Sequence, residues 1–157
     1  MTQPELTARL LGHDDIDDAA RLLHQFNLEF AVATPGVTVL ASRLRTFIGD
    51  PQVAVLLAGC PTVGIAVVTF RPSVWSDGPT AILEELFVEP NQRNNGIGSA
   101  LLTVVGTECM RRQCRLVEIN VDISDVDARR FYERHGYTAI EPDTGEHALY
   151  YHRDLGT

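Results

Sequence analysis

The chain has 157 residues, 45% hydrophobic and 22% charged, which is the size and composition of one globular domain. It carries 13 basic and 21 acidic residues, a net charge of −8, and every basic residue is Arg. So acidic a chain lacks the basic face that nucleic-acid binding needs, whereas it can attract cationic partners. No apolar run approaches the roughly 18 residues of a membrane-spanning helix, and the first residues lack a secretory signal pattern. We expect a single cytoplasmic domain over residues 1–157, with no nucleic-acid or membrane partner.

The cysteine and histidine spacings argue against a structural metal or a disulfide framework. The three cysteines, Cys60, Cys109 and Cys114, are odd in number and form no CxxC pair. Cys109 and Cys114 fall in a helical pattern, which favours burial as small apolar residues. Metal-ligand spacing is also missing among the histidines His24, His135, His147 and His152, so no metal site is expected.

The N-terminal third predicts one strand followed by two helices. Residues 6–11 alternate as a strand does, and Asp14 is the predicted cap of the helix that follows. One helix face is marked by apolar residues at helical spacing: Ile16, Ala19, Ala20, Leu23, Phe26 and Phe30. Thr34-Pro35-Gly36 breaks this pattern, and a second helix is predicted over 38–48, with inward residues Leu40, Leu44, Phe47 and Ile48.

The remaining chain predicts six strands and two further helices. Strands are expected at 52–59, 63–72, 80–90, 115–123, 137–142 and 147–155. A long helix is expected within 91–114, and a short one within 124–137 that Gly136 closes. The fold class is therefore α/β, with a mixed, mostly antiparallel sheet of about seven strands flanked by four helices.

A glycine-containing loop, Arg93-Asn94-Asn95-Gly96-Ile97-Gly98, joins a predicted strand to the long helix. Free amide groups and the helix dipole make such a helix start an anion site, and glycines let the backbone approach a phosphate. Leu101 stands where the dinucleotide-binding motif requires a third glycine, and no Gly-Lys-Ser/Thr of a P-loop is present. A phosphate-binding loop and a glycine-rich helix entry without a ligand both fit this pattern.

The segment LEELFVEPNQRNNGIGSALL, residues 83–102, resembles the acetyl-CoA-binding segment of the GNAT superfamily of N-acetyltransferases. The family pattern, Arg/Gln-x-x-Gly-x-Gly/Ala after a strand ending in Val-x-Pro, is matched by Val88, Pro90, Arg93, Gly96 and Gly98. Asn94 stands where family members often carry another glycine, and Asn tolerates the same backbone conformations best after Gly.

A second segment, SDVDARRFYERHGY at 124–137, resembles the downstream element of the same family. Ala128, Tyr132, Gly136 and Tyr137 fall in register, while Asp125 replaces the usual Asn. The resemblance implies a single-domain GNAT-like fold in which a central pair of strands, carrying Val88 and Val121, splays apart around the pantetheine arm.

The resemblance also implies acetyl-CoA as donor substrate and assigns its binding residues. The pyrophosphate would lie on the loop and helix start, namely Arg93, Asn94, Asn95, Gly96, Ile97, Gly98 and Ser99. The pantetheine would lie along Leu86, Phe87 and Val88, where the Phe87 N–H would polarise the thioester carbonyl. Asp125, Ala128 and Tyr132 would complete the cofactor site.

Three residues are candidates for catalysis. Tyr132 matches the tyrosine that protonates the departing thiolate in this family, although it could instead only pack against the cofactor's sulfur end. Glu84 and Glu85 are adjacent on a strand, so they are expected to point to opposite faces. Glu84, two residues before Leu86, resembles the proposed base of polyamine-type members and is favoured, with Glu85 in reserve. The alternative is that the glutamate has no catalytic role and only forms an ion pair or lies at a solvated sheet edge.

These residues predict an acetyl-CoA-dependent N-acetyltransferase that modifies a primary amine of a small, cationic acceptor by direct attack in a ternary complex. The alternatives are a peptide or protein N-terminus as acceptor, and a non-catalytic acetyl-CoA sensor. Trp75 is expected to line the acceptor pocket or to cap the core. The Tyr150-Tyr151 pair is expected to serve the same pocket or a homodimer contact, since family members often dimerise through their C-terminal strands.

Overall fold

The computed structural model describes residues 6–156. The chain forms two compact units, Met1–Ile119 and Asn120–Thr157. Residues 1–5 lie outside the described part. The prediction that the first residues form no secretory signal therefore falls partly outside the structure. No helix within residues 6–156 is long and apolar enough to cross a membrane.

The first unit is built on a mixed, mostly antiparallel sheet. Its strands are β1 (Ala8–Leu10), β2 (Val53–Ala58), β3 (Gly64–Arg71), β4 (Thr80–Val88) and β5 (Val117–Ile119), arranged in that order. Neighbouring strands are antiparallel except for β4 and β5, which are parallel. The described residues thus contain a five-stranded sheet, and the prediction of about seven strands is wrong.

Four α-helices are present among residues 6–156, as predicted. They are α1 (Ile16–Glu29), α2 (Val37–Phe47), α3 (Ile97–Arg111) and, in the second unit, α4 (Val126–Arg134). A 3₁₀ turn over His13–Asp15 precedes α1, so the residue at the helix start is Asp15 and not the predicted Asp14. Asp15 accepts hydrogen bonds from Gly12 N at 3.0 Å and from the Arg9 guanidinium at 2.8 Å, which fixes this turn.

Helices α1 and α2 cover one face of the sheet. The core there comprises α1 and α2 residues such as Ala19, Leu22 and Leu44, packed on strand residues such as Ile65 and Phe87. Leu22, missing from the predicted helix face, is fully buried, whereas Phe30 is 53% exposed because α1 ends before it.

Helix α3 packs directly on β3 at Gly64. A methyl group at this position would lie 2.9 Å from Cγ2 of Ile97, so glycine permits the close approach of helix and strand. Ile97 and Leu101 are buried at the start of α3, and this packing fixes where the helix begins relative to the sheet.

The parallel pairing of β4 with β5 covers only three residue pairs and ends at Leu83 and Ile119. Strand β4 continues to Val88, so its last five residues have no pairing with β5 in the described structure. The loss of pairing after Leu83 is consistent with the expected separation of two neighbouring strands. However, β5 is an edge strand of the described sheet, so β4 and β5 are not the central pair that was expected. Val121, the residue expected on the second strand, follows the end of β5.

The second unit contains α4 and a largely irregular C-terminal segment. The strands predicted at 137–142 and 147–155 are wrong, since Ile140 and His147 form only an isolated bridge. A turn lies between these two segments, with Gly145 N donating to the Glu141 carbonyl at 2.8 Å. A two-stranded hairpin without further partners is marginal, so the alternating pattern alone does not produce extended strands here.

Cys109 is buried in α3 as expected, and burial raises the pKa of its thiol to about 12. Cys114 follows the end of that helix, which corrects its helical assignment. No cluster of metal-ligating side chains occurs between residues 6 and 156.

Candidate active site

A β-bulge in β4 determines where the two adjacent glutamates point. Val67 of β3 pairs with Glu85 and Val68 pairs with Leu83, so Glu84 is the extra residue of the bulge. Thr69 lies on the same face of β3 as Val67, and its hydroxyl donates to Oε1 of Glu84 at 2.6 Å. Both carboxylates therefore lie on one face of the sheet. The expectation of opposite faces is wrong, because the bulge interrupts the alternation of side chains.

The two carboxylates differ in their surroundings. Glu84 is exposed, whereas Glu85 is half-buried beside the core formed with α1 and α2. Burial raises the pKa of Glu85, and the negative charge of Glu84 raises it further. A carboxylate with a raised pKa accepts a proton more readily at neutral pH. Glu85 is therefore suited to accept a proton, while Glu84 provides a second carboxylate at the surface.

The end of β4 provides a backbone edge next to this pair. Phe87 is buried, pairs with Ile65 and stacks on Phe26 with ring centroids 5.2 Å apart. Leu86 and Val88, by contrast, are half-buried. Because β5 does not pair with this part of β4, the backbone of residues 84–88 can accommodate an extended ligand on that side.

Arg93 joins this strand end to α1. Its guanidinium forms two hydrogen bonds with the Glu29 carboxylate, at 2.7 and 2.6 Å, and its Nε donates to the Val88 carbonyl at 3.0 Å. The guanidinium also lies 5.6 Å from the centre of the Phe87 ring. The hydrogen bonds from Arg93 lower the pKa of Glu29 despite its partial burial. Arg93 thus anchors the loop, a role that its assignment as a phosphate-binding cation did not include.

The loop reaches α3 through two residues with left-handed backbone. Asn94 has φ +63° and Gly96 has φ +82°, and Gly96 is the residue at the helix start. Glycine supplies no side-chain oxygen, so no side chain of the preceding residue caps the first amide groups of α3. Ile97 is buried, while Asn95 is exposed and Gly98 and Ser99 are half-buried. The arrangement is suited to an anion, because the amides and the helix dipole point in the same direction.

In the second unit, α4 carries the other predicted residues. Asp125, which stands where the family pattern has Asn, caps this helix, its Oδ1 accepting from Ala128 N at 3.0 Å. Tyr132 is half-buried, and its ring makes edge-to-face contacts with Phe131 and Tyr137, at 5.2 and 5.7 Å between centroids.

A cavity of about 530 Å³ lies beside the end of β4. It is lined by Gln25, Leu28, Glu29, Phe87, Glu89, Pro90 and Asn91. A second cavity, of about 630 Å³, lies near the start of β2 and the end of α3, and none of the predicted site residues lines it. Only the first is adjacent to the residues assigned to the donor.

Sequence reasoning missed Thr69 and Glu29, which hold Glu84 and Arg93. Two adjacent acids inside an apolar strand do not by themselves show a bulge, which depends on how β3 pairs with β4. Nothing local marked Glu29 as the partner of a residue 64 positions away. Trp75 is 94% exposed, which excludes the core-capping alternative. Tyr150 and Tyr151 are also exposed.

Comparisons with known proteins identify the family of the chain. The profile of the acetyltransferase (GNAT) family matches residues 28–137, more than half of the chain. No curated protein sequence gives a significant match.

Solved structures are similar over nearly the whole chain. A "putative acetyltransferase" from Arthrobacter sp. FB24 shares 46% identity, with a TM-score of 0.89 and 99% of each chain covered. An aminoglycoside acetyltransferase from an uncultured soil metagenomic sample, in complex with sisomicin, has 20% identity and a TM-score of 0.77, covering 96% of this chain and 97% of the other. AAC(6')-Iy in complex with the bisubstrate analog CoA-S-monomethyl-acetylneamine has 15% identity and a TM-score of 0.77, covering 96% and 99%. The last two show the fold alone. From the family profile and the Arthrobacter structure, the chain belongs to the GNAT family of acetyltransferases and is an acyltransferase enzyme.

Proposed function

We propose that this protein transfers the acetyl group of acetyl-CoA to a primary amine of a small, cationic acceptor. The observation that carries the proposal is the carboxylate pair of Glu84 and Glu85 on one face of the sheet, at the start of the part of β4 that β5 does not pair with. An ammonium group is attracted by such a pair and can lose its proton to it. Two structurally similar enzymes, the soil metagenomic one and AAC(6')-Iy, are bound to aminoglycoside-type amines, which supports an acceptor of this class.

The donor site of the proposal comprises the residues that match the family motifs. Amide groups between Arg93 and Ser99 hold the pyrophosphate, including those of Asn94, Asn95, Gly96, Ile97 and Gly98. The pantetheine lies along Leu86, Phe87 and Val88, and Asp125, Ala128 and Tyr132 contribute from α4. The start of α3 fits a phosphate, since Gly96 has no side chain that could cap the first amide groups. In this proposal residues 1–157 act as one acetyltransferase domain, and the family match from 28 to 137 extends into both compact units.

The proposed reaction requires three proton movements. A carboxylate of the glutamate pair takes one proton from the acceptor ammonium, which frees the nitrogen lone pair for attack on the thioester carbonyl. The Phe87 N–H stabilises the oxyanion, the C–S bond breaks, and the CoA thiolate receives a proton from Tyr132. The acetylated nitrogen then gives its surplus proton to the Tyr132 phenolate, which leaves the neutral amide, the CoA thiol and the restored phenol. A phenol suits this role because its ordinary pKa lies above that of a thiol.

The test measures release of the CoA thiol with spermidine, kanamycin, glycinamide and a short peptide with a free N-terminus. We expect turnover with the cationic small amines, and about a hundredfold lower kcat for Tyr132→Phe and Glu85→Gln. Tyr137→Phe, a matched change in the same aromatic cluster, should retain kcat. Preference for the peptide would indicate an N-terminal acetyltransferase, and acetyl-CoA binding without any turnover would indicate a sensor. Either result would contradict the proposal.

A further inference from the structure

We propose that Thr69 is a positioning residue for the carboxylate pair: its hydroxyl fixes Glu84 at the bulge, so that Glu84 holds the acceptor ammonium while Glu85 takes its proton. This inference rests on the proposed function and goes beyond it, since it divides the work between two adjacent glutamates and adds a residue from the neighbouring strand. The geometry that supports it is the 2.6 Å hydrogen bond from Thr69 Oγ1 to Glu84 Oε1.

A bulge residue needs such a partner if its side chain is to keep one orientation. Glu84 is the unpaired extra residue of β4 and is exposed, so the ladder of β3 and β4 leaves its side chain free to rotate. Thr69 pairs with Ile82, two positions before the bulge, and its β-branched side chain has few rotamers in a strand. The hydroxyl therefore holds the Glu84 carboxylate over the face on which Glu85 lies.

Glu85 is suited to accept the proton because of what surrounds it. It is opposite Val67, which belongs to the apolar core, and burial raises its pKa, with the Glu84 charge as the second cause. Most other charged groups on the elements packed against β4 have partners of their own. They are Arg71 with Glu118, Arg21 with Glu89 and Asp18, Glu29 with Arg93, Glu108 with Arg111, and His24 beside Thr34. Asp17 of α1 is exposed. Glu84 is thus the charge that acts on Glu85.

The proposed step moves one proton and breaks no other bond. The ammonium of the acceptor forms an ion pair with Glu84 and transfers a proton to the Glu85 carboxylate, leaving a neutral amine and a protonated Glu85. The negative charge of Glu84 stabilises that protonated form, because two adjacent carboxylates share a proton more readily than both ionise. Loss of the Thr69 hydroxyl would release Glu84 and weaken both effects.

The direct test is a ¹³C NMR titration of the Glu85 side-chain carboxyl in the full chain. Glu84→Gln should lower the titration midpoint of Glu85, and Thr69→Val should produce most of the same shift. Thr69→Ser, which keeps the hydroxyl, should retain the wild-type midpoint. Thr80→Val, a matched change at the start of β4, should leave it unchanged. If Thr69→Val does not fold, Thr69→Ala is used in its place.

A double-mutant cycle distinguishes positioning from a general effect on packing. In the Glu84→Gln background, Thr69→Val should have no further effect on Glu85, because the group that Thr69 positions is already neutral. An equal shift in both backgrounds would overturn the proposal. So would an unchanged midpoint in Thr69→Val alone.

The kinetic counterpart uses spermidine as acceptor. The acid limb of kcat/KM should move to lower pH in Thr69→Val, with about a tenfold loss of kcat/KM, and Thr69→Ser should restore both. An acid limb that stays in place would contradict the assignment. If no amine is turned over, the proposed function fails, while the NMR titration still decides the role of Thr69.

Discussion

Gly96 has a left-handed backbone conformation, and no atom lies close to where a Cβ would be. Position 96 therefore needs glycine for its backbone conformation and not for lack of space. Its φ is +82°, and a Cβ would meet no atom within 4 Å. Gly106 in the middle of α3 is equally open but has helical backbone. We expect Gly96→Ala to cost about 1 kcal/mol of stability and to weaken acetyl-CoA binding, whereas Gly106→Ala should stabilise by up to about 1 kcal/mol. Urea unfolding and calorimetric titration with acetyl-CoA would measure both.

The pair of substitutions separates two explanations of the loop. If the backbone conformation at Gly96 shapes the donor site, only the first variant loses affinity. Equal affinities in the two variants would show that the start of α3 tolerates an ordinary residue and would remove Gly96 from the donor site.

At the scale of elements, the local sequence pattern was sufficient to predict a helix or strand where that segment buries one of its own faces. Helices α1 to α3 and strands β2 to β4 could be predicted because their apolar residues are buried in the core. Helix α4 has no buried residue, and its prediction rested on the short segment that Gly136 closes. The bulge at Glu84 could not, since it depends on how β3 pairs with β4 and not on the sequence of β4 alone. Likewise, the C-terminal segment has the alternation of strands, but extended strands also require a pairing partner.

The same distinction applies to the candidate site. Motif spacing identified the loop from Arg93 to Ser99 and the helix with Tyr132, because each lies within one continuous segment. The partners Thr69 and Glu29 come from other elements, so no local spacing marks them. Sequence reasoning therefore predicts donor contacts within single segments and misses the partners that come from other elements.

The C-terminal end of α3 is stabilised by a nearly buried carboxylate. Glu108 forms hydrogen bonds with Arg111 and Arg112, which hold its pKa at about 2 despite burial. Arg112 also lies 4.2 Å from the Phe70 ring centre, so this group ties the helix to the sheet. We expect Glu108→Gln to lower the free energy of unfolding at pH 7 by about 2 kcal/mol, because two arginines lose their partner.

The pH dependence follows from the direction of that shift. The folded-state pKa is below the ordinary value of 4.5, so the stabilisation is complete above that pH and is lost as the pH falls towards about 2. Urea unfolding of wild type and Glu108→Gln should therefore converge over this range. Glu133→Gln, a change of an exposed glutamate on α4, should leave stability at pH 7 unchanged. A difference that stayed constant down to pH 2 would rule out the ion pairs as its cause.

At the scale of the whole molecule, the net charge of −8 should increase the rate at which cationic acceptors bind. A negative surface field raises the local concentration of cations, and salt screens it over about 8 Å at physiological ionic strength. We expect kcat/KM for spermidine to fall about tenfold between about 20 mM and about 300 mM salt, and kcat/KM for the less charged glycinamide to fall much less. Initial rates at low acceptor concentration measure this directly.

A comparison with Glu84→Gln separates the field of the molecule from the charge of the site. The variant removes one of 21 acidic residues, so the overall field and the salt dependence for spermidine should persist while KM rises. If the salt dependence disappeared with Glu84 alone, attraction would be local and the remaining acids would have no part in steering. If spermidine and glycinamide lost the same fraction of kcat/KM in the wild type, the effect would not depend on acceptor charge and electrostatic steering would be excluded.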